Sequence, residues 1–353
     1  MHIQQPINYK NFALYRMPEE TRCMLVAQTA GSADVVDAVS RLAGCQGFVM
    51  APFEPSPSHP ILVIRPDVVE SFEVEGREEN PEMTQAETDE AWRKNYHHDF
   101  EQFHAELESG RVAKLVLSRC ADEHFDAPVD TMALFLKACR MYPHQYIALV
   151  SMEQTGTWLM ATPEVLLEGH GAQWHTMALA GTMRMGNGAS TEQPLTAWSE
   201  KNRAEQQYVS RYIEDILSRF ATDVTKRGPY TTMAAHLLHL RTDFTFSLEN
   251  DRQVGQLLEA LHPTPAVCGM PKEEARRFIV GHESTDRKYY SGFCGPLRLQ
   301  GSTRLFVALR CMEVMDCNCR LYAGGGLLRE SVEQNEWQET ETKLQTMRRL
   351  LGR

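Results

Sequence analysis

A mixed fold of strands and helices is what the sequence predicts, and three observations carry it. Short apolar runs with strand character recur along the chain, among them GFVMAPF at 47–53, ILVIRP at 61–66 and YIALVSM at 146–152. They alternate with stretches whose apolar residues recur at helical spacing, such as Tyr96, Phe100, Phe103 and Leu107. No GxGxxG or GxxxxGK[ST] loop is present, which excludes a dinucleotide or P-loop nucleotide site.

In order, YRMP at 15–18 and MLVAQ at 24–28 read as strands. SADVVDAVSRL, with Ser32 as N-cap and Val35, Val36, Val39 and Leu42 at helical spacing, predicts a helix. Two strands follow, set among Pro52, Pro55, Pro57 and Pro60. Residues 73–91 are acidic and poor in aromatics, a mobile connection. After the helix that ends at Gly110, RVAKLVLSR is a strand, 130–140 a helix, and strand signals flank TGTWLMATPEVLLE. WHTMALAGT is a strand and 187–193 a loop; a long helix is expected over 194–226, with Trp198, Val209, Tyr212, Ile213, Ile216 and Leu217 inward. MAAHLLHLRTDFTFSL is a strand, VGQLLEAL a helix, HPTPAVCGMP a proline-bracketed turn and KEEARRFIVGHES a helix. FVALRCMEV and CRLYAGG form a strand pair, and a helix ends near Leu351.

The stretch 321–343 carries the densest chemistry. A strand end meets Gly324, Gly325 and Gly326, read as a turn of bare N–H groups, and Glu336, Glu339 and Lys343 share a helix face beyond it. Such a set can hold a hard cation and an anion, or it can be a solvated Glu→Lys helix. Other polar residues stand equally open. Lys114, in an apolar run, either snorkels to solvent or is a buried base. Glu164 is an exposed loop carboxylate or a buried, protonated acid. Glu205 pairs with Lys201 on a helix surface or reaches a metal; His239 is structural or binds substrate.

At 353 residues the length fits one large domain or two ordinary ones; apolar content of 42% and charged content of 24% are those of a soluble protein. The net charge of −11 argues against nucleic acid or an anionic membrane as partner, and no apolar run is long enough to span a bilayer. MHIQQPINYK lacks a signal-peptide core, and the nine cysteines form no C-x-x-C pair, so a cytoplasmic location is expected.

Nine stretches in order, KLVLSR (114–119), ATPEVLLE (161–168), LAGT (179–182), EKNRAEQQYV (200–209), HLLHLRTDF (236–244), LHPTPAVCGMP (261–271), DRKYYSGFCGP (286–296), LR (309–310) and LYAGGGLLRESVEQNEWQETETK, resemble the chorismate-utilising enzymes, isochorismate synthases above all. The resemblance implies an α+β fold: one domain of large, mostly antiparallel sheets with helices packed outside. Residues 1–95 would supply strands and a helix of that fold and 96–353 the chorismate-binding catalytic region.

It further implies that water adds at C2 of chorismate while the C4 hydroxyl leaves, with Lys114 as base and Glu164 as acid. Glu205, Glu336 and Glu339 would hold Mg²⁺. Gly181 and Thr182 would flank the ring carboxylate; Arg310, Tyr290, Lys343 and Gly324 would hold the enolpyruvyl carboxylate, with His239 and Thr264 also at the substrate. These cations answer the charge problem that an acidic protein poses to a dicarboxylate. Aminating relatives lack the lysine at 114, aminodeoxychorismate synthases carry lysine where Ala180 stands, and neither a tryptophan-binding motif nor an amidotransferase segment is found. Water is therefore expected as nucleophile, no amidotransferase subunit as partner, and menaquinone biosynthesis as the pathway. A salicylate synthase, a siderophore-pathway enzyme and an inactive binding subunit are the alternatives.

Overall fold

Strands apolar on both faces need cover on both sides. The chain provides it by stacking two sheets face to face and laying helices on the outside of each. The computed structural model describes residues 8–76, 90–184, 194–234, 237–250 and 252–353. In chain order the strands are β1 (Asn11–Arg16), β2 (Arg22–Gln28), β3 (Asp34–Val36), β4 (Gly47–Ala51), β5 (Ile61–Ile64), β6 (Val68–Glu73), β7 (Lys114–His124), β8 (Tyr146–Met152), β9 (Gly156–Thr162), β10 (Val165–His170), β11 (Gln173–Arg184), β12 (Thr222–Ala234), β13 (Leu237–Ser247), β14 (Gly269–Met270), β15 (Phe293–Leu297), β16 (Ser302–Val307), β17 (Cys311–Met315) and β18 (Asn318–Leu327). The α-helices are α1 (Glu90–Glu108), α2 (Thr131–Met141), α3 (Glu200–Phe220), α4 (Arg252–Leu261), α5 (Lys272–His282) and α6 (Glu333–Leu351).

One nine-stranded sheet runs β14-β7-β18-β17-β9-β8-β1-β2-β6 and the other β12-β13-β11-β10-β16-β15-β4-β5-β3. Every pairing in both is antiparallel. The N-terminal strands extend both sheets, β1 on β8 and β4 on β15. Between the sheets Tyr15, Phe48, Tyr146, Trp158 and Phe306 pack into one core, the Tyr146 and Phe306 rings stacked 3.9 Å apart. Outside one sheet, α3 and α4 cover Leu167, Ala178 and Phe244; outside the other, α2 and the end of α6 cover Leu149, Leu159 and Leu321. A fourth cluster joins α1 and α5 to Leu115 and Leu117 of β7. Among the described residues no helix is long and apolar enough to cross a membrane.

Three expectations are corrected. The helix expected from Ser32 is instead β3, paired with β5, followed by a 3-10 turn at Val39–Gly44; Val35 and Val36 are β-branched and fit an edge strand better than a helix. The helix expected over 194–226 begins at Glu200, capped by the Ser199 side chain on Asn202 N–H, and ends at Phe220. The chain then enters β12, rich in threonine and interrupted by Pro229, which a helix interior does not accommodate. Trp198 is buried all the same, its indole N–H donating to Thr231 Oγ1 at 3.0 Å. The three glycines, finally, form no turn. They lie in β18 opposite Ser118, Leu117 and Val116 of β7. The loops expected over 73–91 and 187–193 lie largely outside the described residues.

Candidate active site

At one end of the space between the sheets, β7, β18, β11, β13, α3 and α6 enclose a cavity. Glu164, Gly181, Thr182, Glu205, His239, Tyr290, Arg310, Gly324, Glu339 and Lys343 line it, with Val116, Leu179, Ala266, Val267 and Tyr322 as apolar walls. Lys114, Glu336 and Thr264 stand behind the lining. Thr264 opens the proline turn, where its carbonyl accepts from Val267 and Cys268 N–H, both at 3.0 Å.

Lys114 is fully buried and does not snorkel. Strand alternation explains this. Leu115 and Leu117 turn to α1 and α5, so 114, 116 and 120 turn to the other face, and Val116 reaches the cavity. Lys114 Nζ lies 3.2 Å from Glu205 Oε1. Both fit because β18 is glycine here: a Cβ on Gly326 would overlap Glu205 Oε1 and come within 3.0 Å of Lys114 Cε. A Cβ on Gly325 would stand 3.6 Å from Glu336 Oε2 and 3.8 Å from Glu339 Oε1.

The three carboxylates thus gather around one strand segment, each held by a lysine. Lys201 Nζ reaches Glu336 Oε1 at 2.5 Å, and Lys343 Nζ reaches Glu339 Oε1 at 2.7 Å and the Gly324 carbonyl at 2.8 Å. Burial opposes the charge on Lys201, but Glu205, Glu336 and Glu339 outweigh it and raise its pKa. Burial also pushes Glu339 up; Lys343, Lys201 and the Thr182 hydroxyl prevail and hold it well below the usual carboxylate range. Glu336 is raised, chiefly by burial, and its Oε2 is buried with no hydrogen-bond partner. Among the described residues no three His, Cys, Asp or Glu side chains converge closely enough to hold a metal between them. The donor set is nonetheless all oxygen and includes one orphaned buried carboxylate atom, which suits a hard divalent cation once a lysine yields its place.

Across the cavity, Glu164 follows Pro163 at the start of β10, 2% exposed, its Oε1 without a partner. Burial raises its pKa to about 8 against the pull of Lys114 and Lys343. At neutral pH this carboxyl is protonated. Gly181, at φ 72°, makes the bulge in β11 that turns its carbonyl to His239 Nδ1, 2.9 Å away. Nδ1 therefore carries the proton and Nε2 accepts from Arg310 Nη2 at 3.1 Å. Burial and the Arg310 charge push His239 down to about 3, so it is neutral. Arg310 also donates to Thr346 Oγ1 at 3.2 Å. Burial lowers its pKa to about 10, and among the described residues no carboxylate pairs with it. Sequence reasoning missed Lys201, read as a surface partner of Glu205, and Thr346. Neither had a signal, because their partners lie 135 and 36 residues away.

The chain matches the family model of chorismate binding enzymes over residues 64–352. The chain belongs to the chorismate-binding enzyme family. It is 33% identical to isochorismate synthase MenF of Escherichia coli over 251 residues, 69% of this chain and 57% of that protein. It is 31% identical to isochorismate synthase DhbC of Bacillus subtilis over 269 residues, 73% of this chain and 68% of that one. The match spans less than two thirds of the Escherichia coli relative's length. In structure it is similar to a Bacillus anthracis protein assigned as a 2,3-dihydroxybenzoate-specific isochorismate synthase, with TM-score 0.81 and 26% identity over 97% of this chain and 96% of that one. Anthranilate synthase component I of Streptococcus pneumoniae, 16% identical, shares the fold at TM-score 0.62 over 98% of this chain and 94% of that chain.

Proposed function

We propose that this protein is an isochorismate synthase: it adds water at C2 of chorismate and expels the C4 hydroxyl. The observation that carries the proposal is Glu164, a buried carboxyl that keeps its proton at neutral pH and faces the cavity. Hydroxide is a poor leaving group unless protonated, and Glu164 supplies that proton. Lys114, released from Glu205 and having given up its ammonium proton, acts as the neutral amine that takes a proton from the attacking water. Arg310 offers a guanidinium without an ionic partner among the described residues, fixed by His239 and Thr346, as the fork for one substrate carboxylate. Lys343, Tyr290 and the Gly324 backbone complete that grip. Gly181 and Thr182 flank the other carboxylate. Thr264 acts through the turn that sets Ala266 and Val267 in the wall.

Glu205, Glu336 and Glu339 would hold Mg²⁺, which supplies positive charge to a substrate carboxylate. The reaction is shared by relatives described as menaquinone-specific and as 2,3-dihydroxybenzoate-specific. We assign the present chain to menaquinone biosynthesis in the cytoplasm, a setting its nine free thiols suit. The test is the purified protein with chorismate and Mg²⁺, products separated chromatographically. A reversible mixture of chorismate and isochorismate is expected, with no turnover in excess EDTA. Stoichiometric pyruvate with salicylate would make it a salicylate synthase. An absence of turnover with Mg²⁺ would end the proposal.

A further inference from the structure

The outer edge of β7, the strand that carries Lys114, is only briefly paired. β14 meets Leu115 and Lys114, and Cys268 carbonyl accepts from Val116 N–H at 2.7 Å; there the partner strand stops. Two side chains take over the ladder. Arg287 Nη2 donates to the Val116 carbonyl at 2.7 Å, and Ser118 N–H donates to Glu283 Oε1 at 2.7 Å. The two are locked together, Arg287 Nε to Glu283 Oε2 at 2.6 Å and Nη2 to Oε1 at 2.8 Å. Arg287 Nη1 goes on to the Val267 carbonyl at 2.8 Å, and the guanidinium lies 4.4 Å over the Phe53 ring. The two side chains are 4% and 2% exposed.

A guanidinium here stands where a strand would offer N–H, and a carboxylate where it would offer C=O. Neither residue lines the cavity, yet Val116 and Val267, whose carbonyls Arg287 holds, both do. Tyr290, another lining residue, donates its N–H to the Arg287 carbonyl at 2.8 Å.

We propose that the Glu283–Arg287 pair is a positioning device for the reaction, a two-residue substitute strand that fixes β7, and with it Lys114, against the 262–271 turn. The proposal rests on the isochorismate synthase reading for its kinetic consequence. Arg310, Lys343, Gly181 and Thr182 belong to segments that the pair does not touch. Tyr290 and Gly324 adjoin it only through backbone contacts, to the Arg287 carbonyl and to Ser118 of β7, that do not use the two side chains, so loosening the pair displaces the base more than the carboxylate grip. A misplacement of about 1 Å is enough to cost on the order of 10²-fold.

The experiment compares wild type, Arg287→Lys and the double variant Glu283→Met/Arg287→Met. Removing both charges leaves no buried ion unpaired, so the double variant is expected to fold, at a lower melting temperature because the Val116 and Val267 carbonyls and the Ser118 N–H lose their side-chain partners. Arg287→Lys keeps the charge but cannot span two carbonyls and a carboxylate. Expected for both is a kcat lower by about 10- to 100-fold with KM within about threefold. Amide exchange should be faster in the peptide covering 114–119, with the double variant still melting in one cooperative transition above the assay temperature. A double variant with wild-type kcat would overturn the proposal, as would a loss that follows global unfolding. If wild type itself made no isochorismate, the reading of function would fail alone. The exchange arm would still decide the clamp, since unchanged protection of the Ser118 amide sinks it.

Discussion

Glu164 and Lys114 show how an environment sets what a residue can do. Each sits in a strand-rich apolar stretch that sequence alone leaves open between solvent and core. For Lys114 the alternation of KLVLSR becomes informative once both faces of β7 are known to be covered, by α1 and α5 on one side and the opposite sheet on the other. For Glu164 burial raises the pKa from 4.5 to about 8. The folded state then binds a proton that the unfolded state releases, so its stability contribution is full below pH 4.5 and is lost as pH rises through about 8. Glu164→Gln removes this dependence. We expect the variant to lose roughly 10²–10⁴-fold in kcat while melting higher than wild type above pH 8. Calorimetry across pH 6–9 checks it; parallel melting curves would place Glu164 in solvent contact.

At the scale of the element, β18 and α6 act as a pair. The helix spacing of Glu336, Glu339 and Lys343 is legible in the sequence, and Lys343 does reach Glu339. The role of the glycines is not. Triple glycine suggests a turn because glycine frees φ, but here the residues are extended and what they give is room. Gly326→Ala should therefore keep the fold, since the atom it displaces is the tip of Glu205, and lower kcat/KM on the order of 10²-fold by moving Glu205 and Lys114. Gly325→Ala, whose Cβ meets only ordinary contacts, should lose much less. Side-by-side kinetics of the two variants decide it, and equal tolerance would contradict the reading. At 32–42 and 221–226 helical spacing competes with β-branching and with Gly-Pro, and the sheet edge wins both times.

Across the whole molecule the cavity exists because two nine-stranded sheets face each other and α3 and α6 close the space at one end. Three carboxylates brought together there are tolerable only with counter-charge, and three lysines provide it. Divalent metal would compete with these lysines. Added Mg²⁺ should therefore raise the melting temperature of wild type by a few degrees, as about 2–3 kcal/mol of linkage at roughly 100 times Kd implies. Glu339→Gln should blunt the rise. A melting temperature indifferent to Mg²⁺ and EDTA would remove the metal from the site.

The sequence by itself determined the family, the strand-rich α+β class and most residues of the candidate site. These are carried by local patterns: alternation, helix spacing, proline and glycine punctuation, and ordered motifs. Only the tertiary structure decided that Lys201 pairs with Glu336 rather than with Glu205, that His239 is a neutral acceptor for Arg310, that the glycines make space, and that Glu283 and Arg287 finish the ladder of β7. Each of these depends on which distant segments a face meets and on how much water is left there. No spacing within the chain encodes partners that lie 71, 135 and 171 residues away.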